Sequence, residues 1–174
     1  MNKRRPVQQA HERAHVGEFL NFLNAARRFP FSVIEEPNPP EAVIQSGRIF
    51  RWIEISTIFM NKNWAQDQYS HVTPGERYQP FGNSVIVEPD KQFVTNFIYV
   101  LTKKLNKDSY MPFKKKYGPG YLILPINYPL FNRDTVDLMK RRWKEIQPLQ
   151  NLGCFRGIFL TGRPLRGRFS RWRL

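Results

Sequence analysis

Cysteine is nearly missing from this chain. Cys154 is the only one, so neither an intramolecular disulfide nor a cysteine metal cluster is available, and a reducing, cytoplasmic setting is the expectation. Acidic residues are scarce too: 14 Asp and Glu stand against 28 Lys and Arg, a net charge of +14. No apolar run approaches the length of a membrane helix, and no signal peptide is expected ahead of the domain, so no membrane partner is expected. There is no Walker loop, no Rossmann glycine fingerprint and no Ser-His-Asp esterase motif. Helix-turn-helix, zinc-finger and RNP-type signatures are missing as well, which leaves sequence-specific base readout without support. No internal repeat is visible.

What is present suits one globular domain. The chain has 174 residues, 41% hydrophobic and 14% aromatic, enough to bury a core and too apolar for a disordered chain. The excess of positive charge points to a polyanionic partner: DNA, RNA or an anionic surface.

The stretch that organises the reading is Pro39–Thr57, two β-prone runs around Ser46-Gly47, the pattern of a hairpin. With Ser46 and Gly47 as the turn, Glu41 faces Trp52. Alternation then puts Glu41, Val43 and Gln45 on one face with Phe50, Trp52, Glu54 and Ser56. Ala42, Ile44, Ile49, Ile53 and Ile55 take the other face. Glu41 and Glu54 become diagonal neighbours, near enough for one divalent ion to draw on both. Glu54 is the only charged residue in Trp52-Ile53-Glu54-Ile55. A carboxylate in such a strand needs a partner, a proton or a metal.

Upstream, helical spacing of Val16, Phe19, Leu20, Leu23 and Ala26 predicts a helix over 7–28. Glu12 falls within its apolar stripe and Glu18 on the solvated side. Glu12 is therefore either the acid this helix supplies to an interior site or a carboxylate placed favourably beside the helix dipole. His11 and His15 are expected in surface or packing roles. A strand over 31–35 follows, ended by Pro37-Asn38-Pro39-Pro40.

Downstream, 58–88 is polar and turn-rich, with a short helix within 58–69. Its aromatics Trp64, Tyr69, Tyr78 and Phe81, interleaved with Lys62 and Arg77, either stack bases or pack as a lid. A second long helix starts at Pro89-Asp90. Lys104 lies at the edge of its apolar face, in line with Phe93, Phe97 and Val100, while Lys103 and Lys107 point away. Lys114, Lys115 and Lys116 precede the turn Gly118-Pro119-Gly120. Tyr121–Ile126 is a continuous apolar run, the mark of a strand buried on both faces. A helix over 134–146 carries Lys140, Arg141, Arg142 and Lys144, and Phe155–Leu160 is a last strand. The tail 163–174 holds five arginines, Arg168 and Arg171 among them, with Phe169 and Trp172 between. Contacts to nucleic acid are expected from Lys114, Lys115, Lys116, Arg141, Arg142, Arg168 and Arg171, against the alternative of solvated charge runs.

This order implies an α/β fold: a mixed central sheet flanked by helices on both faces. The acidic face of the hairpin is expected under the first helix or open to a cleft. Glu12 in the first helix, Pro40-Glu41 opening the second strand and Glu54 inside the third resemble the PD-(D/E)XK nuclease superfamily. The run Lys114–Leu124 also resembles the segment before the fourth core strand of some bacterial members. The resemblance covers roughly 9–160. It implies a restriction-endonuclease-like αβββαβ core with an extra helix and strand at the C-terminus, in a domain over 1–162 with a loop insertion near 58–88. It implies Mg²⁺, with Mn²⁺ able to substitute, held by Glu41 and Glu54 to activate a water against a phosphodiester. Glu12 becomes an auxiliary acid, and DNA is favoured over RNA. Two positions depart from the pattern. The usual aspartate is Glu41, and the usual lysine is Ser56, which carries no charge. Lys104 is the first candidate to replace that lysine and Lys62 the second. A catalytically silent nucleic-acid-binding or nucleoprotein-assembly module on the same fold is the alternative.

Overall fold

The structure is a computed structural model, and it describes residues 4–80, 82, 87–147, 152–163 and 169–174. Among them lie five α-helices and seven strands. In chain order these are α1 (Arg4–Asn24), β1 (Ser32–Glu35), β2 (Ala42–Ser46), β3 (Ile49–Ile55), β4 (Ile58–Phe59), α2 (Lys62–Val72), α3 (Pro89–Leu105), α4 (Met111–Tyr117), β5 (Gly120–Asn127), α5 (Arg133–Ile146), β6 (Phe155–Gly162) and β7 (Ser170–Arg173). A 3₁₀ turn, Asp108–Tyr110, leads into α4. The strands form one open mixed sheet in the order β1-β2-β3-β5-β6-β7, with the short β4 also pairing with β5. The pairs β3/β5 and β5/β6 are parallel, while β1/β2, β2/β3 and β6/β7 are antiparallel. Both parallel connections pass through helices, as parallel neighbours require.

Two apolar layers sandwich the sheet. On one face Val16 and Phe19 of α1, with Leu20 and Leu23, cover Ala42, Ile44, Ile53, Ile55, Tyr121, Ile123 and Phe159. On the other, α3 and α5 bury Phe93, Phe97, Leu101, Met139 and Trp143 with Val43, Trp52, Leu122 and Leu160. The alternation read from the hairpin therefore holds. Its apolar face meets α1, and the face carrying Glu41 and Glu54 is not the one that α1 covers. It lies on the side of α3.

The hairpin turn differs from the expected one. Ser46 pairs with Ile49 and Val43 with Trp52, so Gly47 and Arg48 make the turn. Gly47 has φ +58°. A two-residue hairpin favours glycine at a left-handed first central position, and that pulls the turn one residue along. The shift keeps the parity but changes the partner. The ladder runs to Ala42–Ile53, and its next rung would set Glu41 directly across from Glu54, not diagonally.

Three other expectations need revision. The segment 58–88 contains the short helix expected near 58–69, as α2, but also the strand β4, so it is not one long insertion loop. The lysine cluster stands on α4, a helix the sequence pattern did not reveal. Nor is the tail a free arm. Ser170–Arg173 pairs with β6, and Trp172 packs edge-on against Phe131 at 5.6 Å between ring centres, so the domain extends past 162. Arg168 and Phe81 lie outside the described residues. No helix among the described residues is long and apolar enough to cross a membrane.

Trp52 is the packing centre of the α3 side. It is fully buried, meets Tyr110 and Phe155 at 5.4 and 5.0 Å, and donates its indole N–H to the Gly118 carbonyl at 2.9 Å. A Cβ on Gly120 would come within 2.3 Å of its ring. Gly120→Ala is therefore expected to destabilise the fold by about 1–3 kcal/mol through overpacking. Urea unfolding measures this, and an unchanged midpoint contradicts it.

Candidate active site

Glu54 is only 1% exposed. It sits next to last on β3, where the strand is flanked by β2 and β5. Its Oε1 accepts two short hydrogen bonds, from Lys104 Nζ and from the Tyr110 hydroxyl, both at 2.6 Å. Its Oε2 is buried and has no partner among the described residues. Burying a carboxylate is tolerable when an opposite charge and a hydrogen bond compensate it. Lys104 supplies the charge from the last turn of α3, a helix end that itself favours a cation. The Lys104 side chain remains 23% exposed, so its ammonium bridges the interior and the surface. Tyr110 is buried. Burial first, and then the Glu54 carboxylate, drive its hydroxyl far above the ordinary range, which keeps it a donor.

Glu41 stands one residue before β2, and its Oε2 accepts the Ile55 backbone N–H at 2.7 Å. Burial and the Glu54 charge push its carboxyl up to about 8, against the opposing effect of that hydrogen bond. Glu12 contributes to the same upward push on Glu41. Glu12 is itself raised, by burial first, while its bond from Gln8 Nε2 at 2.8 Å opposes. It also feels Glu54 as a like charge and Lys104 as an opposite one. Glu12 and Glu41 line one small pocket of about 70 Å³ together with Gln9, Arg13, Glu36 and Asn38. The N-terminal half of α1 thus carries Glu12 to the end of the hairpin, although the rest of the helix packs on the opposite face of the sheet.

The structure brings together Glu12, Glu41, Glu54 and Lys104. It leaves Ser56 at the end of β3, its backbone N–H bonded to the Ile123 carbonyl at 2.9 Å. Lys62 lies elsewhere, on the wall of a groove with Glu88, Lys91 and Asn96. The nucleic-acid candidates are not part of this cluster. Lys114, Lys115 and Lys116 are exposed on α4, with Lys114 bonded to the Gly153 carbonyl and Lys116 over the Tyr117 ring. Arg141 and Arg142 are exposed on α5, and Arg142 pairs with Glu145. Arg171 is folded back on α1, bonded to the Glu18 carbonyl at 3.2 Å and lying over the rings of Phe22 and Phe169. In the 58–88 segment Trp64 bonds Asn127 Oδ1 at 2.9 Å and Tyr69 packs on Phe59, contacts of a packed element. His11 and His15 contact each other, and His15 pairs with Glu18.

Two site residues escaped the sequence pattern. Tyr110 follows no periodicity that points at Glu54, because it reaches the carboxylate from a 3₁₀ turn. Arg13, next to Glu12, pairs with Glu36 at 2.6 Å on the wall of the acidic pocket, a contact across 23 residues.

The donor set is all carboxylate oxygen, which suits a hard cation such as Mg²⁺ or Mn²⁺. The unpartnered Glu54 Oε2 and the proton-retaining Glu41 mark an acidic cluster short of positive charge. Among the described residues no group of three or more His, Cys, Asp or Glu is arranged to hold a metal. That arrangement is not required of Mg²⁺, which commonly uses one or two carboxylates and completes its shell with water and substrate phosphate.

The raised Glu41 carboxyl has a signature in stability. A carboxyl lifted from 4.5 to about 8 on folding binds its proton more tightly in the native state. Its contribution is full below pH 4.5 and disappears as pH rises through 8. His11 and His15, both lowered by burial, act in the opposite sense, so the comparison is between wild type and variant. Glu41→Gln is expected to reduce the decline, and to gain about 4 kcal/mol relative to wild type between pH 5 and 8.5. Denaturant unfolding at both pH values measures it, and parallel pH profiles contradict it.

Comparison of the chain with protein-family models, with curated proteins and with solved structures returns no match.

Proposed function

We propose that this is a nuclease-fold protein that binds nucleic acid, DNA in preference to RNA, and hydrolyses phosphodiesters with Mg²⁺. The observation that carries the reading is the ion pair of Lys104 with Glu54 beside Glu41 and Glu12. A PD-(D/E)XK site needs two strand carboxylates, a helix acid and a nearby lysine. Here Lys104 of α3 stands in for the charge that Ser56 lacks.

Each side chain has a separate task. Tyr110 and Lys104 hold Glu54 through Oε1 and so leave Oε2 as the free donor. Glu41, anchored by the Ile55 N–H, would hold the cation with Glu54, losing its proton to solvent. Glu12 adds negative charge from α1. Lys104 also presents positive charge where a phosphodiester gains negative charge in its transition state. Bound Mg²⁺ would supply an activated water and electrostatic stabilisation of the leaving oxygen. Arg13, on the same pocket as Glu12 and Glu41, suits a phosphate of the substrate backbone.

The silent-module reading draws on a different observation, the uncharged Ser56 at the position of the usual lysine. Both are tested by incubating single- and double-stranded DNA and RNA with the protein in Mg²⁺, Mn²⁺ and EDTA. Wild type is expected to cleave DNA only with a divalent ion. Glu54→Gln and Lys104→Met are expected to lose at least about 100-fold, the scale for removing one electrostatic stabiliser. Equal cleavage by wild type and Glu54→Gln, or none by either, removes the enzymatic claim and leaves the silent module.

A further inference from the structure

The end of the hairpin away from the carboxylates gathers arginines. Residues beyond Asn24 turn sharply and are held by three hydrogen bonds, two to the end of α1 and one to the sheet. The Asn24 side chain bonds both the N–H and the carbonyl of Phe31, at 2.8 and 2.9 Å, and Ser46 Oγ donates to the Phe29 carbonyl at 2.7 Å. This fixes the backbone and turns Phe29 outward, 67% exposed. Arg27, Arg28 and Phe29 line a pocket of about 370 Å³ with Ser46, Gly47, Arg48 and Ile49. None of these lining residues is acidic.

The positive surface continues along β3. Arg51 lies two residues beyond Ile49 and so on the same face. Its Nε is buried and has no hydrogen-bond partner among the described residues. Burial first, and then the like charges of Arg156 and Arg27, lower its affinity for its proton, against an opposing effect of Tyr121. Arg156 lies over the Tyr121 ring at 5.7 Å. Helix α1 ends at Asn24, which leaves this end of the face open. A cluster of guanidiniums without carboxylates is unfavourable in isolation and is relieved by a polyanion.

We propose that Arg27, Arg28, Arg48, Arg51 and Arg156, with the exposed ring of Phe29, form a binding surface for single-stranded nucleic acid, the arginines taking phosphates and Phe29 stacking one base. A concave pocket beside an exposed aromatic ring, with the Arg28 guanidinium 5.5 Å from its centre, takes an unpaired base, whereas the bases of a duplex are already stacked on each other. The fixed backbone lowers the ordering cost of binding. Along β3 the pocket edge at Ile49 is roughly 17 Å from Glu54, five residues at about 3.3 Å each, and Arg51, nearer along the strand, lies on the opposite face of the sheet. It goes beyond the hydrolytic reading and stands whether or not the carboxylates cleave.

The test is fluorescence anisotropy with a labelled oligothymidylate of 20 nucleotides, in EDTA, where hydrolysis is silent, over a range of salt. The variants are Phe29→Ala, the pair Arg28→Gln with Arg48→Gln, and a control pair of equal charge change, Lys103→Gln with Lys144→Gln. Expected are a loss of about five-fold or more for Phe29→Ala and about ten-fold or more for the arginine pair. The arginine pair should also flatten the slope of log K against log salt by about 1.4, two phosphates at about 0.7 each. The control pair should stay within about two-fold of wild type. Equal losses in both charge pairs, tighter binding to duplex than to single strand, or full competition by anionic phospholipid vesicles would each overturn the proposal. Photo-cross-linking of wild type to a 5-iodouracil oligonucleotide gives a readout independent of the variants' folding. Adducts between 27 and 31 support the proposal, and adducts confined to α4 and α5 overturn it.

Discussion

A carboxylate inside an apolar sheet cannot stay charged unless something answers it, and the placement of α3 and the 3₁₀ turn provides that answer. Glu54 sits in β3 among Trp52, Ile53 and Ile55, all buried. Lys104 and Tyr110 converge on one of its oxygens from different elements. Removing either partner would leave an uncompensated buried charge or a broken hydrogen bond, and losing a charged partner of a buried pair costs about 3–5 kcal/mol. A leucine at 54 would pack more cheaply. That the chain carries a glutamate, a lysine and a tyrosine there is hard to explain by stability alone.

The same economy separates Glu41 from Glu54. The hairpin sets Glu41 across from Glu54 as like charges in a half-dry setting, and the one lysine that pairs with them contacts Glu54. Glu54 takes the lysine, and Glu41 retains a proton to about pH 8. A divalent cation would reverse that choice by releasing the proton.

Much of this was legible in the residues. The two-residue alternation of 41–56 put Glu41 and Glu54 on one face, helical spacing put Glu12 in the apolar stripe of α1, and Phe93, Phe97 and Val100 pointed to Lys104. The register was not, because Ser46-Gly47 and Gly47-Arg48 are both plausible turns until the positive φ is assigned to the glycine. The side of the sheet that α1 covers was not either, since amphipathicity says which face of a helix is buried and not which layer receives it. Tyr110 and the Arg13–Glu36 pair depend on chain reversals between elements, which no periodicity records. The tail looked like a solvated arm because Arg171 and Arg173 mask Trp172, whose ring against Phe131 helps hold β7 to the sheet.

Charge is spread unevenly over the molecule. The acids that matter are gathered at one end of the hairpin, and arginines at the other, while lysines line α4 and arginines α5. Anomalous diffraction from crystals soaked in Mn²⁺ above pH 8 shows whether the two carboxylates share a cation. A peak is expected between Glu41 and Glu54, within coordination distance of Glu54 Oε2 and with Lys104 alongside. A clean map there, with the ion bound elsewhere or not at all, would contradict a shared site.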